Sequence, residues 1–270
     1  MDAQLADLGL ARPAPFPRTG PARGRADIHF HLLPGVDDGP ATLDESAELA
    51  ARAAAEGTTT IVATPHVRSD FVIDVATLGD LVREVRQRLS RDGIEMTVAL
   101  GAELGHDMVG TLSQPELELV AQGPHGSQWL LVETPFAGIT PEFAAATAEL
   151  RERGFACVLA HPERGLRILE DDCAALRHEL ANGGLLQINA SSLAGWHGEL
   201  PREAGFELAA RLRAVVASDA HGASRPPALW VAHEIALTRG LGRSLARDLV
   251  DVGPQALLRG GLALPMPMAA

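Results

Sequence analysis

The chain has 270 residues, 46% of them hydrophobic and 21% charged, which suits one soluble globular domain with a sizeable core. A net charge of −12 argues against a general nucleic-acid binder, because phosphate backbones are held by basic surfaces. No apolar run approaches the ~18 residues of a membrane-spanning helix, and two cysteines in so long a chain are no disulfide scaffold, so reduced thiols in the cytoplasm are the expectation.

Residues 1–25 carry Arg12, Arg18, Arg23 and Arg25 among Pro13, Pro15, Pro17 and Pro21 and lack the apolar core of a secretory signal. With little to bury, the segment reads as a flexible tail. Residues 26–262 read as the folded domain and residues 263–270 as a second tail. From Ala26 on, strand-like runs recur at 26–29, 59–64, 96–103, 129–134, 156–160, 185–189 and 214–218. Amphipathic stretches separate most of them: LDESAELAARAAAEG, LGDLVREVRQRL, PEFAAATAELRERG, CAALRHELANGG and REAGFELAARLR. Thr42 or Asp44 is placed to cap the first helix, and Gly57, Gly154 and Gly183 fall just past helix ends. The stretch 104–128 shows no clear period. Cys157 sits inside the apolar run FACVLA and reads as a core residue.

Strand–helix alternation predicts a parallel sheet with helical crossovers, open or closed. The polar residues separate those alternatives. The first run leads into His29 and His31, then Asp37 and Asp38; later runs end at His66, Glu103, Glu133 and His161, and the last is followed by Asp219 and His221. A closed barrel gathers all such ends at one mouth, whereas an open sheet spreads them along a row. The prediction is therefore an α/β fold of the TIM-like barrel kind. Alternate strand residues point the same way, so His29 and His31 can reach one ion, and Asp219 and His221 repeat that spacing. Imidazole with carboxylate suits Zn, Mn or Fe.

Taken singly, each of these residues has a bland reading as a hydrogen-bonded structural group, and His106, His125, His178, His197 and His233 keep it. Five of the ten histidines and four acids at one relative position in successive units do not. Asp38, Glu103, Glu133 and Asp219 carry four negative charges; two divalent ions would neutralise them and three would reverse the sign, favouring a phosphate dianion. Arg164 and Arg225 are the candidate phosphoryl donors, and Arg68 reads as a surface residue. Trp196 and Phe136, shortly after strand ends, are candidates to pack on an aromatic substrate or to be ordinary rim residues.

The motifs DIHFHLLPGVDDG, ATPH, GAE, LVE, AHPER, QINASSL and ASDAH resemble the series of the polymerase-and-histidinol-phosphatase (PHP) superfamily. The first, with AHPER and QINASSL, is similar to one branch, the bacterial manganese-dependent protein-tyrosine phosphatases of capsule and exopolysaccharide systems. The resemblance runs from about Asp27 to Leu258. It implies a distorted (β/α)7 barrel with three divalent ions. One would be held by His29, His31, Glu103 and Asp219, a second by Glu103, Glu133 and His161, and a third by Asp38, His66 and His221. It implies phosphomonoester hydrolysis, with a phosphotyrosine protein, most plausibly a tyrosine kinase of polysaccharide assembly, as partner. Histidinol phosphate is the alternative substrate, and a non-catalytic metal- or partner-binding barrel is the rival of another class. The chain itself contains no tyrosine and is not its own substrate.

Overall fold

The structure, a computed structural model, describes residues 16, 24–72, 74–166 and 168–265. The expected tails thus lie largely outside the described residues. The seven runs become nine short strands: β1 Arg25–Phe30, β2 Thr58–Ala63, β3 His66–Val67, β4 Thr97–Leu100, β5 Glu103–Leu104, β6 Trp129–Glu133, β7 Ala156–Ala160, β8 Leu185–Asn189 and β9 Ala214–Ala217. All pair in parallel, in the orders β1-β2-β4 and β3-β5-β6-β7-β8-β9. The result is a mixed α/β domain with parallel sheets.

The run 96–103 is split in two, and the run 59–64 is followed by a separate short strand at His66–Val67; each step has a local feature. Pro65 has no N–H to give to a ladder, although its carbonyl still accepts from Glu103 N at 3.0 Å. At Gly101 a Cβ would lie 2.6 Å from Val62 Cγ1, so the close approach of neighbouring chains there requires glycine. The far edges of the two sheets meet as well. Asp219 N donates to His29 O and His31 N to Ala220 O, both at 2.9 Å, with a parallel bridge between Phe30 and Ala220.

Helices cover the outer face. Thr42, rather than Asp44, caps the helix Leu43–Ala55 by accepting from Glu45 N, and Gly57, Gly154 and Gly183 take positive φ just past helix ends. The unassigned stretch 104–128 contains a turn at His106–Met108 and the helix Gln114–Val120, closed by a Ser113–Glu116 capping box.

Strand alternation produces two tiers on the inner face. Trp129 and Leu131 precede Glu133; Ala156, Val158 and Ala160 share the face; Leu185 precedes Gln187 and Asn189; Val215 and Ala217 precede Asp219. The apolar members pack with Ile28, Val62, Ala256 and Leu257 in one cluster, closed at the N-terminal end of the strands by the helix Gly253–Gly260. The intervening residues, Leu130, Val132, Cys157 and Leu159, face the helices. Cys157 is free and buried, and burial pushes its thiol up to about 12.

Phe16 departs from the reading of residues 1–25 as a segment with little to bury. It belongs to the inner cluster, with the Arg213 guanidinium 4.9 Å from its ring centroid. Likewise Leu264, inside the expected C-terminal tail, packs against the same cluster. Phe16→Ala should therefore destabilise the protein by about 3 kcal/mol in urea unfolding; an unchanged midpoint would mean that Phe16 does not close the core.

Candidate metal centre

β1 aims His29 and His31 inward at alternate positions, and both rings are held from behind. His29 Nδ1 donates to Gln187 Oε1 at 2.8 Å, and His31 Nδ1 to Asp37 Oδ2 at 2.7 Å. Those bonds leave both Nε2 lone pairs facing each other at 3.3 Å, an approach that is repulsive unless a cation takes both. The support continues outward: Gln187 Nε2 donates to Asn189 Oδ1, and Asn189 Nδ2 to Asp219 Oδ2 at 2.6 Å. Asp219 Oδ1 is thereby left 3.4 Å from His29 Nε2 and 3.5 Å from His31 Nε2.

Glu103 sits at the middle of the constellation and is fully buried. Its Oε2 lies 3.2 Å from both His29 Nε2 and His31 Nε2 and 2.9 Å from His66 Nδ1. Its Oε1 is 2.7 Å from His161 Nε2. Burial alone would push this carboxyl up, but the surrounding imidazoles, His29 and His66 foremost, hold it well below the usual carboxylate range. Asp219 is held low in the same way, against its burial, by His29 and His31. The negative field of Glu103 and Asp219 that raises His29 and His31 against their burial equally stabilises a metal cation.

Asp38 Oδ1 approaches His221 Nε2 at 3.2 Å and His66 Nε2 at 3.5 Å. His221 stacks on His31 with centroids 3.6 Å apart, and burial together with His31 pushes it below its ordinary value, towards the neutral form a ligand needs. Arg225 lies against the His221 ring, 3.6 Å from Asp38 and 3.5 Å from Asp219. Arg164 Nη1 makes one long contact with Asp219 Oδ2, 3.4 Å, and its guanidinium stacks 4.9 Å from the Phe136 centroid. Asp38, His66, Phe136, Arg164 and Arg225 open onto one cavity of about 260 Å³.

Among the described residues, three combinations of ligand atoms lie within 4.8 Å of one another: His29, His31, Glu103 and Asp219; His31, Asp38, His66 and His221; and His66, Glu103 and Glu133. The first matches the expected set. The second adds His31 to the expected trio. The third has His66 where His161 was expected, His161 being joined to it through Glu103.

Arg68 is not the surface residue the sequence predicts. It lines the cavity, grips both oxygens of Glu133 at 2.8 and 2.9 Å, and pairs in a fork with Asp70. Gln187, Asn189, Asp37 and Glu163, whose Oε1 accepts from Asn189 N at 2.9 Å, were missed as supports. The signal for two of them was present: Gln187 and Asn189 are polar at alternate positions in an otherwise apolar run. Phe71, also missed, stacks on His66 at 5.1 Å and lines the cavity together with Phe136. Trp196 is half-exposed and does not line the cavity. His197 bonds to Ser191 Oγ at 2.9 Å, and burial with nearby Arg164 pushes it down to about 4.

The donor set fits divalent ions on more than residue type. Glu103 Oε2, His66 Nδ1 and His161 Nδ1 are buried without a hydrogen-bond partner, although buried polar atoms are ordinarily satisfied. The first two converge at 2.9 Å, where a cation would satisfy both.

Comparison with known proteins agrees. A family described as capsular polysaccharide synthesis, CpsB/CapC, matches residues 25–259. Tyrosine-protein phosphatase YwqE of Bacillus subtilis is 32% identical over 197 residues, covering 72% of this chain and 76% of that protein. Tyrosine-protein phosphatase CpsB of Streptococcus pneumoniae is 28% identical over 242 residues, covering 86% and 97%. A chain from the crystal structures of those two proteins, described there as unique metal-dependent tyrosine phosphatases, superposes with a TM-score of 0.75 at 27% identity, covering 91% of this chain and all of that one. The phosphotriesterase homology protein of Escherichia coli shares the fold alone, with a TM-score of 0.56 at 12% identity.

Removing a ligand and removing its support should differ. Asp219→Ala and His161→Ala are expected to lower the metal content at saturation, measured by elemental analysis. Gln187→Ala should keep the full content at saturation but weaken binding about 10–100-fold in metal titration. One ion per chain in the unaltered protein would overturn the multi-ion assignment.

Proposed function

The chain belongs to the capsular polysaccharide synthesis CpsB/CapC family, and from that membership we propose that it is a metal-dependent protein-tyrosine phosphatase. The observation that carries the reading is the convergence of Arg164 and Arg225 with the Glu103-centred ligand set on one cavity flanked by Phe71 and Phe136. The ions fitting that set, three with Mn²⁺ foremost, supply Lewis acidity and a water nucleophile at neutral pH. The strand ring that gathers the ligands is proposed to be a distorted (β/α)7 barrel, joined where His29 and His31 bond to Asp219 and Ala220.

The side chains then divide the work. Arg164, whose contact with Asp219 is long at 3.4 Å, is placed to donate to phosphoryl oxygens as charge develops on them. Arg225, near Asp38 and Asp219, lines the same cavity and acts on the same group. Asp37, Gln187 and Asn189 hold the ligand rings and Asp219 in orientation, so little rearrangement accompanies the reaction. Phe136 offers its exposed face to the substrate ring. A phosphocysteine route is not used, because Cys157 is buried with its thiol raised to about 12 and Cys173 is buried too. No helix among the described residues is long and apolar enough to cross a membrane. The proposed setting is the cytoplasm, and the proposed partner a phosphorylated tyrosine kinase of polysaccharide assembly.

Arg164→Ala should lower turnover roughly 10²-fold with metal content nearly unchanged; loss of metal or of the fold would instead make it a structural ion-pair residue. The substrate is tested by kcat/KM for a phosphotyrosine peptide and for histidinol phosphate with the same metal. The peptide is expected to be preferred. A preference of about tenfold or more for histidinol phosphate would reassign the substrate and leave the metal chemistry standing.

A further inference from the structure

Beside the metal cavity lies a second depression of about 290 Å³ with a different character. Its apolar walls are Leu166, Ile168 and Leu169 from the loop after β7, and Leu200 and Ala204 from the helix Glu199–Arg211, with Glu163, Arg164 and Glu170 also lining it. Leu200 is 85% exposed and Leu166 69%, the two highest values among the large exposed apolar residues described. Single exposed leucines need no explanation, but two lining one concave apolar groove do.

The groove is continuous with the metal cavity, because Arg164 lines both. The connection is also covalent and hydrogen-bonded. Leu166 follows Arg164 by two residues, and its N–H donates to Phe136 O at 2.7 Å, tying the groove wall to the aromatic at the cavity mouth. A phosphoryl group held by Arg164 therefore brings whatever is attached to it to the edge of the groove. A free phosphotyrosine or a small alcohol phosphate leaves Leu166 and Leu200 uncovered. An extended polypeptide does not, since neighbouring residues lie only ~3–7 Å further along the chain. The groove has the size and lining to take one apolar side chain. On the other flank of Phe136 the wall is polar, with Asp70, His106 and Asp107, so the two sides of the mouth offer different chemistry.

We propose that the Leu166–Leu200 groove binds an apolar side chain of the substrate polypeptide, one or two residues from the phosphotyrosine, and so sets sequence preference. This rests on the phosphatase reading above and adds the class of sequence it selects.

The test compares phosphotyrosine peptides carrying Leu or Ser at the first and second positions on each side, alongside p-nitrophenyl phosphate, all with metal-loaded full-length protein. At one flanking position, Leu should raise kcat/KM about tenfold over Ser, mainly through KM. Leu200→Glu should reduce that ratio to about twofold or less while p-nitrophenyl phosphate turnover stays unchanged. Leu200→Met, which keeps an apolar wall, should retain the preference. Equal rates for all peptides with the unaltered protein overturn the proposal, as does a preference that survives Leu200→Glu. A concentration-dependent dimer abolished by Leu200→Glu, without any peptide preference, assigns the groove to a second copy and overturns it too. Failure to hydrolyse even p-nitrophenyl phosphate would overturn the phosphatase reading itself, an outcome distinct from hydrolysis without preference.

Discussion

A single buried carboxylate, that of Glu103, organises the centre. A carboxylate with no access to water is costly unless positive charge surrounds it. Four imidazoles do so here, from His29, His31, His66 and His161, and they come from the ends of three different strand runs. None of them is an obligatory cation, so the arrangement is balanced only conditionally. It is stable with protons on the rings or with metal between the rings and the acid, and the orphaned Glu103 Oε2 is where that condition shows. The fold and the chemistry therefore make the same demand, which is that several strand ends converge within a few ångströms of one point.

The backbone meets that demand through its irregularities. Were β2 to run straight into β3, or β4 into β5, His66 and Glu103 would continue the line of their strands. Pro65 withdraws its own donation while Ala63 O, Pro65 O and Val67 O still accept from Gly101 N, Glu103 N and Gly105 N, and the short pair β3–β5 puts His66 directly beside Glu103 in register. The apolar tier below, from Trp129 to Val215, supplies hydrophobic stabilisation away from the ions. The two requirements are separated along each strand: packing at its N-terminal half, polar groups at its C-terminal end.

That separation explains what was legible in the sequence. Ligands at the ends of apolar runs stand out because each breaks a hydrophobic pattern, and His29, His31, Asp38, His66, Glu103, Asp219 and His221 do meet in shared groups. Gln187 and Asn189 were overlooked because their alternation marks a shared polar face without saying what that face meets until the neighbouring strands are known. Arg68 looked superficial for the complementary reason: its role depends on Glu133, 65 residues away. Phe16 lay in a Pro/Arg-rich context that reads as unfolded, and a lone aromatic gives no periodicity. The split of the run 96–103 and the short strand after 59–64 were not foreseen because Pro and Gly mark the positions of steps without giving the direction of the bend.

Backbone strain falls at the same places as the ligands. Among the described residues only three non-glycines take positive φ, and two of them are His161, at 35°, and Asp219, at 55°. Each follows its strand directly or within two residues, at the point where a straight continuation would carry the side chain past the centre. The left-handed turn instead swings His161 Nε2 onto Glu103 and sets Asp219 Oδ1 against both β1 histidines. Such conformations cost on the order of 1–3 kcal/mol each and persist only where the surroundings fix them. Here His161 N bonds to Gln187 O at 2.7 Å, and Asp219 N to His29 O at 2.9 Å. The residues that orient the ligands thus also hold the strained turns, so that Gln187, through its amide and its carbonyl, fixes His29 on one side and His161 on the other.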